Sequence, residues 1–220
     1  MNNIINKINS KASIDILAKG RIKENFVGRP FYIDYKKLHL MTCDAWKFSA
    51  KGIPQGTFLL AFYDGEPDVE EALLLRVLNP VSLPTDSNNI LSMIAYYKDN
   101  MDIAGRAGSS NNQGLDNFTR YEFSFSGLEC RVLGAFYKTP VKDNNGKIIK
   151  YKTEFGADVE NFYSANNYKV YKATDDVLKE IVNQRDDDKI IVGNENEFKI
   201  GKIRYSSSRR FHNSDNEVPV

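Results

Sequence analysis

Basic and aromatic residues alternate near the end of the sequence, in FKIGKIRYSSSRRFHNSDNEVPV (residues 198–220). Tyr205 and Phe211 lie in a stretch, 198–214, that contains no acidic residue and five basic ones: Lys199, Lys202, Arg204, Arg209 and Arg210. Because single-stranded nucleic acids bind to basic grooves that carry aromatic stacking platforms, this run is a candidate nucleic-acid contact. The alternative interpretation, which the near-neutral charge of the chain favours, is a solvated strand end and a linker.

Residues that ligate metals or act as nucleophiles are sparse. Cys43 and Cys130 lie far apart in the sequence, and its two histidines are His39 and His212. A structural zinc site needs about four such ligands at short spacing. The sequence therefore predicts two reduced, partly buried thiols, no metal site and no catalytic residue. His39 alternates with apolar residues in YKKLHLMT, which predicts a position on the surface of a strand.

The charge balance narrows the classes of function. The chain has 30 basic and 29 acidic residues, for a net charge of +1, so no overall field attracts DNA or an anionic membrane. The acidic clusters at 64–71 and 186–188 are interpreted as solvated turns, with a divalent-metal site as the alternative. No apolar run approaches the roughly 20 residues that span a bilayer, and the N-terminus lacks signal-peptide features. We expect a cytoplasmic protein that does not bind membranes.

Turn signals and runs of aromatic and β-branched residues predict a mostly β chain. Asp64-Gly65 and Asn145-Gly146 indicate hairpin turns, Asn79-Pro80 is predicted to end a strand, Gly127 to turn the chain, and Gly134 to mark a barrel bend. The predicted strands are several short ones within 26–48, then 57–63, 72–78, 121–125, 130–137, 147–153, 168–171 and 198–205.

Two helices interrupt this β pattern. Apolar residues recur near the helical period at about 85–101 and at about 174–184, and each segment begins with capping residues. The predicted fold is mainly β (α+β), a small antiparallel β-barrel with inserted helices. Its predicted boundaries are an N-terminal arm at 1–24, a barrel domain at 25–205 and a linker at 206–220.

Several stretches, taken in order, resemble the N-terminal region of bacterial HerA-like ATP-binding proteins, which belong to the HerA/FtsK group of hexameric translocases. The stretches are FVGRPFYIDYKKLHLMTCDAWK, GIPQGTFLLAFYD, EALLLRVLNPVSLPTD, GLECRVLGAFY, ENFYSANNYKVYK, and FKIGKIRYSSSRR followed by VPV. The resemblance covers most of residues 25–220 and lies in the ordered set rather than in one motif. It implies that the fold is the HAS-barrel of that family.

The resemblance also implies a role in assembly. In such proteins a Val-Pro-Val-like strand leads into an ATPase domain whose phosphate-binding loop ends in Gly-Lys-Ser, and this sequence has no such loop. We therefore expect no enzymatic activity or cofactor in this chain, and ATP and Mg only with the ATPase domain. The implied partners are other copies of the chain, in a hexameric ring, and a nuclease or a sirtuin-like effector in antiphage defence or DNA end processing. DNA is a further possible partner.

Overall fold

The computed structural model describes residues 15–65, 70–104, 121, 123–157, 159, 161–182, 202–204 and 217–219. The helices within these residues are α1 (Ile16–Lys19), α2 (Asp44–Ser49), α3 (Asp86–Ala104) and α4 (Asp175–Val182), with single 3-10 turns at Lys23–Asn25 and Ala165–Asn167. The strands are β1 (Phe26–Ile33), β2 (Lys37–Cys43), β3 (Phe58–Tyr63), β4 (Glu71–Val81), β5 (Phe125–Lys142), β6 (Ile148–Gly156), β7 (Tyr168–Lys172), β8 (Lys202–Arg204) and β9 (Glu217–Pro219).

Six antiparallel strands close into a barrel. Their order is β1-β7-β3-β4-β5-β2, and β2 returns to pair with β1. β2 and β5 are joined through the whole length of β2, from Lys37 opposite Arg131 to Cys43 opposite Phe125. β6 pairs with the far end of β5 and extends the sheet outside the barrel. The predicted mainly β fold, a small barrel with inserted helices, is confirmed.

The barrel interior is filled by alternate residues of all six strands. β7 shows the pattern most simply, since Tyr168, Val170 and Lys172 are buried while the residues between them are partly exposed. Such alternation is required when one face of a strand is the core. The inward residues form one apolar cluster, which includes Val27, Leu38, Leu40, Leu59, Leu73, Leu75, Cys130, Val132 and Val170.

A second core lies outside the barrel, over β3, β4 and β5. There the outward side chains Leu60, Phe62, Ala72, Leu74 and Phe136 are buried beneath α1 and α4. The helices supply the rest of that cluster, chiefly Ile16, Leu17, Val177 and Leu178. Both faces of these three strands are therefore apolar, which explains why 58–62 and 72–75 contain little polar alternation.

The two predicted helices are present at Asp86–Ala104 and Asp175–Val182. In α4, Val177 and Leu178 are buried and Ile181 and Val182 half-buried, so they share the predicted face. The predicted Asn-Gly hairpin turn is also confirmed, because Asp143 accepts hydrogen bonds from the backbone N–H groups of Asn145 and Lys147, both at 2.9 Å, between β5 and β6. Gly134, at φ 152°, lies beside a register shift between β4 and β5, as expected for a barrel bend.

Two strand predictions are wrong at their ends. The 26–48 segment ends in helix α2, because β2 stops where its partner β5 begins and the Trp46 ring packs instead against Phe26 and Phe125. β4 does not end at Asn79-Pro80, since a bulge between Val77 and Asn79 carries it to Val81. Asp64-Gly65 lies in the connection between β3 and β4, which are antiparallel neighbours as predicted.

The segment 121–137 also differs from its prediction. Ser124 donates a backbone hydrogen bond to the Tyr121 carbonyl in a turn, and β5 starts at Phe125 rather than at 121. Gly127 does not turn the chain, because it lies within β5 with Met41 on one side and Val81 on the other. A single strand of 18 residues thus replaces the predicted pair.

The final predicted strand falls within the predicted barrel domain, but its described residues pair outside the barrel sheet. Lys202–Arg204 pairs with Glu217–Pro219 in a separate two-stranded sheet, so it is not the last barrel strand. The β2–β5 pairing closes the barrel without this strand. Among the described residues no helix combines the length and the apolar character needed to cross a membrane.

Candidate functional site

The structure describes only two of the five basic residues in the run at 198–214. Lys202 and Arg204 lie in β8, opposite Pro219 and Glu217 of β9. Lys199, Arg209 and Arg210 lie outside the described residues. Their role as a nucleic-acid or junction contact stays a prediction.

The cysteines and His39 occupy separate places in the barrel. Cys43 and Cys130 are both free and buried, and Cys130 pairs with Leu38, five residues along β2 from Cys43. At roughly 3.4 Å per residue this places the two thiols about 17 Å apart along the strand direction, too far for a disulfide. His39 points outward from β2, where its Nε2 lies 3.2 Å from Glu129 Oε2. No group of three metal-ligating side chains occurs within the described residues.

We expect both thiols to be unreactive in the folded chain. Burial, reinforced by the neighbouring Glu129 carboxylate, raises the pKa of Cys130 to about 12, so the nucleophilic thiolate is scarce at pH 8. Cys43 is 1% exposed and is shielded by packing. Ellman's reagent should therefore modify neither thiol in native protein and both in urea. Rapid modification of a thiol in native protein would contradict this expectation.

The acidic cluster at 64–71 is partly engaged in ion pairs. Asp64 binds Lys169 through its Oδ2 and Arg21 through its Oδ1, the latter at 3.3 Å. The Lys169 hydrogen bond, aided by the charges of both cations, holds the pKa of Asp64 below its usual value. Glu70 pairs with Lys138 across a neighbouring cavity of about 540 Å³. The carboxylates that the structure describes here hold basic side chains in place, and none of them groups into a metal site.

A hairpin arm projects beyond the barrel. We use this name for residues 138–142 of β5 and 148–153 of β6, because the pairing of β4 with β5 ends at Tyr137. Tyr151 is 60% exposed and shares a face with Pro140, which lies opposite it, and Ile149, at a register shift between β5 and β6, is 65% exposed. In the part of the chain that the structure describes, no strand pairs with the outer edge of β6.

Helix α3 carries a second exposed apolar surface. Ile90, Leu91 and Ile94 are 53%, 65% and 56% exposed, although their spacing is that of an amphipathic helix. The sequence predicted the helix and its apolar residues but not their exposure, because helical periodicity does not distinguish a core from a docking surface.

A groove crosses the outer wall of the barrel beside β7; we call it the β7 groove. Its volume is about 560 Å³. Phe26, Trp46 and Tyr171 form its aromatic floor, and Arg21, Lys23 and Lys169 are its basic residues. This groove could not be predicted from the sequence, because its residues come from three separate segments, 21–26, 46–49 and 169–171, and no local pattern indicates that they meet.

Comparison of the chain with models of known protein families and with curated proteins returned no match.

Proposed function

We propose that this chain is the oligomerisation and partner-docking barrel of a HerA-like hexameric ATPase and DNA translocase. In this proposal it assembles with other copies of itself and docks a nuclease or a sirtuin-like effector. ATP and Mg belong to the ATPase domain of such a machine rather than to the barrel. The observation that carries the proposal is the hairpin arm, which combines an open strand edge with an exposed apolar face.

An open edge and an apolar face together suit a protein partner. The outer edge of β6 presents backbone N–H and C=O groups, and an extended segment of another chain can satisfy them by adding a strand. Tyr151 and the neighbouring Ile149 supply exposed apolar surface, while Lys150 and Lys152 lie on the face opposite to Tyr151. Lysines on an exposed edge strand oppose indiscriminate aggregation, so this edge is suited to a specific partner. The apolar surface of α3 offers a second contact of the same kind.

If the hairpin arm mediates self-association, a charge on its apolar surface should weaken that association. Replacing Tyr151 with lysine should lower the average mass in solution, because a charge would have to be desolvated at the apolar surface of the arm. Size-exclusion chromatography with light scattering over a range of concentrations measures the change. Val141→Lys is the matched control, since Val141 pairs with Lys150 and so lies on the opposite face of the arm.

The proposal fails if the unmodified chain is a strict monomer at every concentration and captures no candidate effector. Equal loss of mass in the Val141→Lys control would show that the arm acts through folding or net charge rather than through its apolar face. Far-ultraviolet circular dichroism of each variant separates loss of association from loss of structure.

A further inference from the structure

We propose that the β7 groove binds single-stranded nucleic acid, with a base stacked on its aromatic floor and phosphates held at its basic residues. This site shares no residue with the hairpin arm or with the basic run at 198–214. It does not depend on the hexamer proposal.

The floor of the groove is a continuous aromatic surface. The Phe26 ring contacts Trp46 at a centroid distance of 5.0 Å and Tyr171 at 5.5 Å, both edge to face. All three side chains are half-buried, so neighbouring packing fixes them while part of each lines the groove. Fixed, partly exposed rings bind bases of any sequence, because every base has a π-face to stack.

The groove carries an excess of positive charge. Arg21, Lys23 and Lys169 line it, against the single carboxylate of Glu24. Arg21 and Lys169 both bind Asp64, which lies next to the groove. With the Asp64 carboxylate included, three basic side chains are balanced by two carboxylates. The net charge of +1 is suited to binding a phosphate.

The basic side chains are held in place before a ligand arrives. The Arg21 guanidinium lies 4.9 Å from the centre of the Phe62 ring and donates a hydrogen bond to the Tyr63 carbonyl oxygen at 3.2 Å. The shared Asp64 carboxylate restrains Arg21 and Lys169 on the same side of the groove. Pre-positioned donors lose less conformational freedom on binding, which favours affinity.

The size and polarity of the groove favour a nucleic acid over a protein segment. A volume of about 560 Å³ lies within the usual range of small-ligand sites, so the groove accommodates a base with its sugar and phosphate. The exposed apolar surfaces that suit a protein partner lie elsewhere, on the hairpin arm and on α3.

The groove contains its own spectroscopic probe, because Trp46 is the only tryptophan in the sequence. Titration of the full chain with oligo(dT) at low salt should quench Trp46 fluorescence, and the affinity should fall as salt rises. Lys23→Gln should weaken binding about fivefold and reduce the slope against log salt by about 0.7. Lys36→Gln, which removes the same charge from the exposed turn between β1 and β2, should change neither quantity.

Asp64→Asn distinguishes a binding site from a structural cluster. Removing this carboxylate adds one unit of positive charge and releases Lys169, whereas Arg21 keeps its hydrogen bond to the Tyr63 carbonyl oxygen. The gain in charge should therefore outweigh the lost restraint, and oligo(dT) should bind several-fold more tightly. A purely structural role for Asp64 would leave affinity unchanged or lower it.

Three results would overturn the proposal. One is the absence of any binding at low salt. Another is binding that leaves Trp46 fluorescence and the Lys23→Gln affinity unchanged, which would place nucleic acid on the basic run at 198–214 instead. The third is equal affinity for dTMP and oligo(dT), which would identify a nucleotide site. None of these outcomes bears on the self-association of the hairpin arm.

Discussion

Replacing Gly28 with alanine should destabilise the barrel by about 3 kcal/mol or more. Gly28 lies in β1 with φ at 146°, a conformation that side chains with a Cβ rarely adopt. A Cβ at this position would also overlap the backbone carbonyl oxygen of Met41 in β2, and a carbonyl inside a sheet cannot turn aside without breaking the sheet. The free energy of unfolding, measured by urea denaturation, should fall accordingly, or the variant should be recovered only unfolded.

Gly146→Ala is the matched control. Gly146 also has a positive φ, 79°, but a Cβ there would meet no atom within 4 Å, because it lies in the turn of the hairpin arm. Only the backbone cost of about 1–2 kcal/mol applies to it. If Gly28→Ala is no more destabilising than Gly146→Ala, then β1 and β2 do not approach each other at Gly28 as closely as described.

Lys172→Met should lower the free energy of unfolding by about 3 kcal/mol, the second large effect we expect. Lys172 is 1% exposed and lies on the inward side of β7, where its ammonium donates hydrogen bonds to the carbonyl oxygens of Ala50 and Gly52, both at 2.9 Å. Methionine keeps the length of the side chain but leaves both carbonyls without these charge-assisted donors. These bonds tie the segment after α2 to the barrel wall.

Lys169→Met, three residues earlier on the same strand, is the comparison. Lys169 faces outward, is 34% exposed and pairs with Asp64 near the surface, so its loss should cost less than about 1 kcal/mol. Equal urea midpoints and slopes for the two variants would show that the buried lysine does not hold this segment in place.

The sequence predicts the barrel because local signals agree along most of it. Turn residues such as Asn145-Gly146 mark a connection, and β-branched and aromatic runs such as 57–63 indicate strands. The predicted strand ends are wrong where contacts between distant segments determine the secondary structure. Trp46 is in a helix because its ring packs on Phe26 and Phe125, and Pro80 stays in β4 because a bulge accommodates it.

The candidate surfaces were less predictable than the fold. The β7 groove needs Arg21, Phe26, Trp46 and Lys169 to meet, and contacts between such distant segments leave no pattern in the sequence. The exposure of Ile149 depends on β5 and β6 running beyond β4, which strand propensity alone does not indicate. The basic run at 198–214 was the candidate surface predicted from the sequence, because charges that lie close together along the chain can be recognised without knowledge of the fold.

The position of β7 determines when the chain can finish folding during synthesis. β7 fits between β1 and β3, and Phe26 near the start of the barrel pairs with Tyr171 near its end. The barrel therefore cannot close until β7 has left the ribosome, and the edges of β1 and β3 remain open throughout the translation of the intervening chain. Such late, long-range pairing slows folding and exposes strand edges to aggregation. Nascent chains that stop short of residue 172 should consequently be the species most dependent on chaperones.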